Sequence, residues 1–189
     1  MKTQRQDVWD ILNQYVKSEV LLKHCIAVEI AMRAYARKFG HDVDYWGAVG
    51  LLHDVDFEKF PEDHPNHARE ILVSHGYDTE FITHVESHAR DWPQERSLLQ
   101  KALLAVDEMT GFVIACALVR PDKSLDNLEV KSVVKKMKDK AFARAVNRET
   151  IKTSAEDLGV DLKEHIEFVT KALAEALHQD EYKQLPLIG

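Results

Sequence analysis

The stretch Gly50-Leu51-Leu52-His53-Asp54-Val55-Asp56-Phe57 places an imidazole and a carboxylate side by side inside an apolar, helical run. Burying such a pair is costly unless something compensates the two polar side chains. A bound cation compensates both at once, because histidine and aspartate are ready ligands for a borderline or hard divalent metal. The stretch therefore predicts a mostly buried helix, residues 43–54, that carries a metal-binding pair.

His24 and Asp107 stand in similar settings elsewhere in the chain. His24 lies within VLLKHCIAV (20–28) and Asp107 within ALLAVD (102–107), each on an apolar helical face. If those faces meet around His53 and Asp54, two imidazoles and two carboxylates converge from three helices. This donor set suits Mn, Fe, Co, Ni or Zn, and it leaves coordination positions open for water and substrate. In the alternative, structural interpretation, Asp107 caps a helix or pairs with a buried lysine.

His64 and His88 fit a second ion. His64 lies at the start of one predicted helix, and His88 lies on the apolar face of the next. Two metals bridged by Asp54 and a hydroxide would clamp the attacking and leaving oxygens of a phosphoryl displacement. His67 and His84, one helical turn away, are substitutes for the same role. A buried histidine can instead be a hydrogen-bonded core residue, and that alternative stays open for each of these positions.

Composition favours a cytoplasmic, helical protein. The chain has 189 residues, 45% apolar and 30% charged, and its seven glycines and five prolines are few for a turn-rich fold. No stretch approaches the ~20 apolar residues of a membrane helix, and the first residues lack a signal peptide's apolar segment. Cys25 and Cys116 lie in apolar runs and are expected to be reduced. The net charge of −7 argues against non-specific nucleic-acid binding.

Apolar residues recur at three- and four-residue spacing nearly throughout the chain, which predicts an all-α protein. Gly40 is a helix stop, and Pro65 suits a first helical turn. We expect one structural unit, with a helical core in residues 1–120 and a C-terminal helical extension in 121–189 packed on that core. The predicted helices cover residues 6–17, 18–39, 43–54, 65–74, 79–89, 95–118 and 161–178.

Basic residues follow the Asp107 helix and are candidates for phosphate binding. The spacing of Lys131 and Lys135 puts two ammonium groups on one helical face. The alternative is a solvated basic face. Nucleic-acid binding ranks last, because stacking would have only Phe142 in this segment. The predicted substrate-binding residues are Arg120, Lys123, Lys131 and Lys135, with Lys136 beside them.

The order of these residues resembles the HD superfamily of metal-dependent phosphohydrolases. His24, His53, Asp54 and Asp107 match its four defining ligands. Longer motifs resemble one bacterial group of small HD hydrolases, and together they span nearly the whole chain. These motifs are LLHDVDFEKFP (51–61), His64-Pro65, DEMTG (107–111), ALVRP (117–121) and KDKAFA (138–143).

The resemblance implies an HD-domain helical bundle with a C-terminal helical extension. It also implies one or two divalent ions (Mn, Fe, Co, Ni, Zn or Mg) and hydrolysis of a phosphate ester by metal-activated water. Asp54, Asp56 or Glu58 is expected to act as the base or to orient that water. The chain departs from many two-metal members at Ala89, where they carry a second histidine, and from some members that follow the dyad with Gly-Lys.

The expected partner is a small phosphorylated metabolite or nucleotide, with no membrane and no nucleic acid. Two alternatives differ in class. A diiron oxygenase of the same superfamily would use a similar six-ligand set, and a non-catalytic sensor domain would hold a structural metal. Substrate identity and oligomeric state do not follow from the sequence.

Overall fold

The computed structural model describes residues 2–89, 91–182 and 187–188, and the secondary structure within them is helical. This confirms the predicted all-α fold. No helix in these residues combines the length and apolar character needed to cross a membrane. The helices are α1 (Arg5–Tyr15), α2 (Glu19–Phe39), α3 (Val43–Leu52), α4 (Ala68–Ser74), α5 (Thr79–Glu86), α6 (Leu98–Leu118), α7 (Val130–Met137), α8 (Arg148–Asp157) and α9 (Leu162–Ala176), followed by a 3-10 turn at Asp180–Tyr182.

Side-chain caps set several helix boundaries. Asp42 and Asp78 each accept a backbone N–H three residues on, at 2.9 Å, and so begin α3 and α5. Gly40 ends α2 in the left-handed conformation, with φ of 73°, which glycine adopts without strain. The predicted stop at Gly40 is therefore confirmed. The helix predicted from Pro65 begins only at Ala68, because the chain before it is turned towards Asp56, as described below.

The chain divides into two compact units, Met1–Leu103 and Leu104–Gly189, and α6 begins in the first and continues into the second. In the first unit α2 packs against α3, α1 also packs against α3, and α5 packs against α3 and α4. Its core includes fully or almost fully buried Leu12, Tyr35 and Phe81. The predicted division into residues 1–120 and 121–189, and the packing of the extension, stay predictions.

A glycine brings α2 and α3 into close approach. A Cβ atom at Gly50 would stand 3.1 Å from the Glu29 Cα and from the Val28 carbonyl oxygen of α2. Only a residue without a side chain fits between the two backbones there. This contact holds the C-terminal end of α3 against α2, and it therefore fixes the two elements from which His53 and His24 project.

In the second unit α9 packs against α7 and α8. The sequence pattern did not indicate α8, which carries few apolar residues. Its start is fixed by Asn147, whose side chain accepts the N–H groups of Glu149 and Thr150, and its buried face consists of Ile151, Ser154 and Ala155. A cap and a narrow apolar stripe therefore define α8, in place of the longer periodic pattern on which α1 to α6 and α9 were predicted.

Candidate metal centre

His53 follows the last residue of α3 and is completely buried. Its Nδ1 lies 2.8 Å from the carbonyl oxygen of Gly50, which can only accept a hydrogen bond, so Nδ1 donates and Nε2 is the nitrogen left for other partners. That Nε2 lies 3.2 Å from Nε2 of His24, which projects from α2. The close approach of α2 and α3 thus turns two ring nitrogens towards the same point.

His88 repeats this local arrangement after α5. Its Nδ1 donates to the carbonyl of Val85, again three residues earlier, at 2.6 Å. The last carbonyls of a helix lack intrahelical donors, so a histidine placed just beyond the end can satisfy one of them and orient its own ring. Nε2 of His88 lies 2.7 Å from Nε2 of His64, in the segment between α3 and α4.

Asp54 lies between the two histidine pairs. Its Oδ2 is 3.4 Å from Nε2 of His53 and 3.6 Å from Nε2 of His24. Its Oδ1 is 3.1 Å from Nε2 of His64 and 3.7 Å from Nε2 of His88. Burial alone would raise the pKa of Asp54, but His53, His64 and His24 outweigh it and hold the pKa well below its usual range. The carboxylate is therefore ionised and offers one oxygen to each pair.

This donor set fits divalent cations. The ligand atoms of Asp54, His64 and His88 lie within 4.8 Å of one another, close enough to surround one ion. Nε2 of His53 and Nε2 of His88 both face Asp54, and Nδ1 of each ring donates to a backbone carbonyl, as is usual for histidines that ligate a metal through the other nitrogen. Burial lowers the pKa of His64, but hydrogen bonds with Asp54 and Asp56 raise it to about 9. His64 is therefore expected to be protonated in the protein itself. A metal ion that binds to this ring would displace one of its protons.

Asp56 and Glu58 have separate partners. The Asp56 side chain is fully buried, and its Oδ1 accepts from Nδ1 of His64 at 2.7 Å while its Oδ2 accepts from the His67 N–H at 3.1 Å. Glu58 is exposed and accepts the backbone N–H groups of Lys17 and Ser18, both at 2.8 Å, which lowers its pKa. The water-orienting roles of Asp56 and Glu58 stay predictions.

His67 and His84, the alternative ligands for a second ion, are bound to residues other than Asp54. Nε2 of His67 lies 2.9 Å from a carboxylate oxygen of Asp63. Nδ1 of His84 lies 2.9 Å from the hydroxyl of Tyr45, and burial lowers the pKa of His84, so this ring is neutral and accepts the tyrosine proton. The structure therefore brings together His24, His53, Asp54, His64 and His88 within the first unit and engages His67 and His84 elsewhere.

The remaining predicted residues lie in the second unit. Asp107 is half-buried on α6, and its role as a ligand stays a prediction. Arg120 already pairs with Asp122 through two hydrogen bonds of 2.9 and 2.8 Å, and Lys131 lies 3.0 Å from Glu129. Lys123 and Lys135 are exposed. Their roles in substrate binding stay predictions.

Sequence reasoning missed the groups that orient the ligands, although it named Asp56 for another role. These are the carbonyls of Gly50 and Val85 and the carboxylate of Asp56. The available signal was positional, because His53 and His88 stand one and two residues beyond a helix end, where a carbonyl three residues back is an acceptor.

An all-helical chain with a buried histidine–aspartate pair at the end of one helix, and three further imidazoles around it, belongs to a class of helical proteins with centres suited to divalent cations. The match to a family model then identifies the family within that class. The family model described as HD domain matches residues 21–167, so the chain belongs to the HD domain family, whose members are mostly metal-dependent hydrolases. No curated protein and no solved structure shows a significant match to the chain.

Proposed function

We propose that this chain is a metal-dependent phosphohydrolase that cleaves a phosphate ester of a small metabolite or nucleotide with water. The observation that carries the proposal is the position of Asp54, which directs one carboxylate oxygen to His24 and His53 and the other to His64 and His88. A carboxylate that lies between two sets of nitrogen donors could hold two divalent ions close together, which suits two-metal hydrolysis.

The proposed ligands form two groups. His24, His53, Asp54 and Asp107 hold one ion, and His64, His88 and Asp54 hold a second where two are bound. Nitrogen and carboxylate donors suit Mn, Fe, Co, Ni or Zn, and Mg is possible where water completes the coordination. Asp107 enters this set through the family motif and its half-buried place on the apolar helix α6.

The protein residues supply orientation, a base and exclusion of water. A bound divalent ion lowers the pKa of its water and draws charge from the phosphoryl oxygens. Asp54, Asp56 or Glu58 is the proposed group that orients the attacking water or takes its proton. His53 is completely buried and the His88 side chain is 6% exposed, whereas the His24 side chain is 24% exposed. The His64 side chain is 13% exposed, so we propose that water and substrate reach the centre at His24 and His64.

Phosphate binding is assigned to cations of the second unit. Lys123 and Lys135 carry exposed ammonium groups, and Lys131 and Arg120 are part of the same proposal although each has an acidic neighbour. Arginine and lysine bind phosphoryl oxygens through charge-assisted hydrogen bonds. Substitution of Lys123 or Lys135 is expected to raise KM more than it lowers kcat.

A second candidate, a diiron oxygenase, is favoured by the same bridging position of Asp54. It predicts about two irons per chain and oxygen consumption with an organic substrate. A structural metal in a sensor domain predicts bound metal without turnover of either kind.

Elemental analysis followed by a phosphate-ester screen tests these proposals. Protein purified without a chelator or a histidine tag is compared with the double variant His53→Ala, Asp54→Ala and with His178→Ala, a control in an exposed histidine. We expect Mn, Co, Ni, Zn or Fe in the wild-type protein and the control, phosphate release from at least one ester, and neither in the double variant. Metal retained by a folded double variant would overturn the assignment of the metal site. Wild-type protein that binds metal but releases no phosphate from any ester would overturn the proposed phosphohydrolase activity.

A further inference from the structure

Two phenylalanines in the segment after Asp56 leave much of their surface in solvent. Phe57 is 40% exposed and Phe60 is 38% exposed, although both belong to a segment next to the metal centre. Exposed single apolar residues are common on proteins and by themselves indicate nothing. The surroundings of the two rings, however, differ.

Phe57 lies against a proposed metal ligand. Its ring meets the ring of His64 edge-on, with centroids 5.3 Å apart and an interplanar angle of 81°. Its backbone N–H donates to the carbonyl of Asp54 at 3.1 Å. Phe60 instead stacks on His67, with centroids 3.9 Å apart and an angle of 17°, and His67 is in turn held by Asp63. One face of Phe60 is thus occupied, and it borders a residue outside the metal centre.

The position of Phe57 is fixed by the residues on both sides of it. The preceding Asp56 is buried and bound to His64 and to the His67 backbone. The following Glu58 is bound to two backbone N–H groups of the segment that precedes α2. An aromatic ring between two anchored residues loses little freedom when a ligand packs on it, and this favours binding.

We propose that Phe57 binds a flat aromatic group in the leaving group of the substrate, and that the substrate class is nucleoside monophosphates. The inference rests on the proposed phosphohydrolase function. A phosphoryl group at the centre lies beside His64, and the remainder of the molecule then extends over the ring that His64 contacts. Stacking of a base on an aromatic side chain is sequence-tolerant, so the ring selects for a base without selecting which one.

Titration calorimetry on the full-length, manganese-loaded protein tests the proposal without relying on turnover. The probes are inorganic phosphate and adenosine monophosphate, and the variants are Phe57→Ala, Phe57→Leu and, as a matched control, Phe60→Ala. We expect the wild-type protein to bind the nucleotide about tenfold or more tightly than phosphate, in line with the strength of base stacking. Phe57→Ala should lose this preference while its phosphate affinity and metal content stay unchanged, Phe57→Leu should keep part of it, and Phe60→Ala should keep it.

The outcomes separate the inference from the function on which it rests. If phosphate binds and the nucleotide binds no more tightly, the role of Phe57 is wrong and the phosphohydrolase stands. A Phe57→Ala protein that loses phosphate and nucleotide equally, or loses metal, would mean that the ring only supports His64, which also overturns the inference. Binding of neither probe to metal-loaded wild-type protein would overturn both proposals.

Discussion

The two halves of the candidate metal centre are built by different means. The helix half consists of His24 within α2 and His53 at the end of α3, and packing of these helices around Gly50 brings the rings together. The loop half consists of His64 and His88, which lie outside helices and are oriented by Asp56 and by the Val85 carbonyl. When helix packing positions a ligand, many side-chain contacts hold it in place. When one hydrogen bond orients a ligand, its position depends on that bond.

The two halves should therefore differ in their sensitivity to substitution. His24 lies within α2 and His53 donates to a carbonyl of α3 itself, so these two ligands should move chiefly with the two helices. In the loop half, His64 should move when the Asp56 carboxylate alone is removed. Asp54 alone serves both halves, and its substitution tests them together.

The largest effect is expected for Asp54→Asn. The amide keeps the shape but removes the charge that bridges the two histidine pairs, so both halves should lose metal affinity. Phosphate-ester hydrolysis should fall at least about a thousandfold, since the loss of metal catalysis is worth several kcal/mol and each 1.36 kcal/mol is tenfold. Elemental analysis and initial rates measure the two effects. Wild-type activity in this variant would exclude Asp54 as a shared ligand.

Next in size is the loss of one ion in His88→Ala. Removal of this ring takes a donor from the loop half and leaves His24 and His53 in place, so a protein with two ions should keep one. The matched control is His67→Ala, which removes a nearby histidine that pairs with Asp63. Metal per chain after dialysis is the measurement. Loss of both ions together would show that the halves do not bind separately.

Asp56→Asn is expected to weaken metal binding through the loop half. Asp56 orients His64 and raises its basicity, and loss of such an outer carboxylate typically lowers metal affinity by about 10- to 100-fold. Glu58→Gln is the control, because that exposed side chain binds the segment before α2 rather than a ligand. Competition with a fluorescent chelator gives the affinities. Equal losses in both variants would assign Glu58 to the centre as well.

The smallest effect concerns the Tyr45–His84 pair, which joins α3 to α5 one helical turn before His88. Burial lowers the pKa of His84 below its ordinary 6.5, so the unfolded chain takes up the proton first as the pH falls. The free energy of unfolding should therefore decrease as the pH drops below about 6.5, and His84→Asn should show less of this decrease. Urea titrations at pH 7.5 and 5.5 measure it. An unchanged dependence on pH in the variant would exclude His84 as a contributor.

The helix half was easier to predict than the loop half. The 3.6-residue period places His24 on the buried face of α2, and the apolar run before His53 fixes α3 as a core helix. No period relates His64 to Asp56, because the chain between them is a series of turns. The sequence therefore does not distinguish buried Asp56 from exposed Glu58, two residues away.

Local signals also limited the prediction of helix bounds. Pro65 suits a first helical turn, yet α4 begins at Ala68 because Asp56 binds both His64 and the His67 N–H. α8 was missed because its start depends on the Asn147 cap rather than on a long apolar stripe. In both cases a side chain bonded to the backbone outweighs the intrinsic preference of the segment.

The shared use of Asp54 has an electrostatic consequence. Among the five donors that the first unit brings together, this carboxylate is the single negative charge, and the other four are imidazoles. Two divalent ions carry more positive charge than Asp54, its neighbour Asp56 and the proposed ligand Asp107 carry negative charge together, so the occupied centre is expected to be net positive within a chain whose net charge is −7. Such a protein repels anions over most of its surface and attracts them at one point, and the rate at which it captures a phosphorylated substrate should depend on ionic strength accordingly.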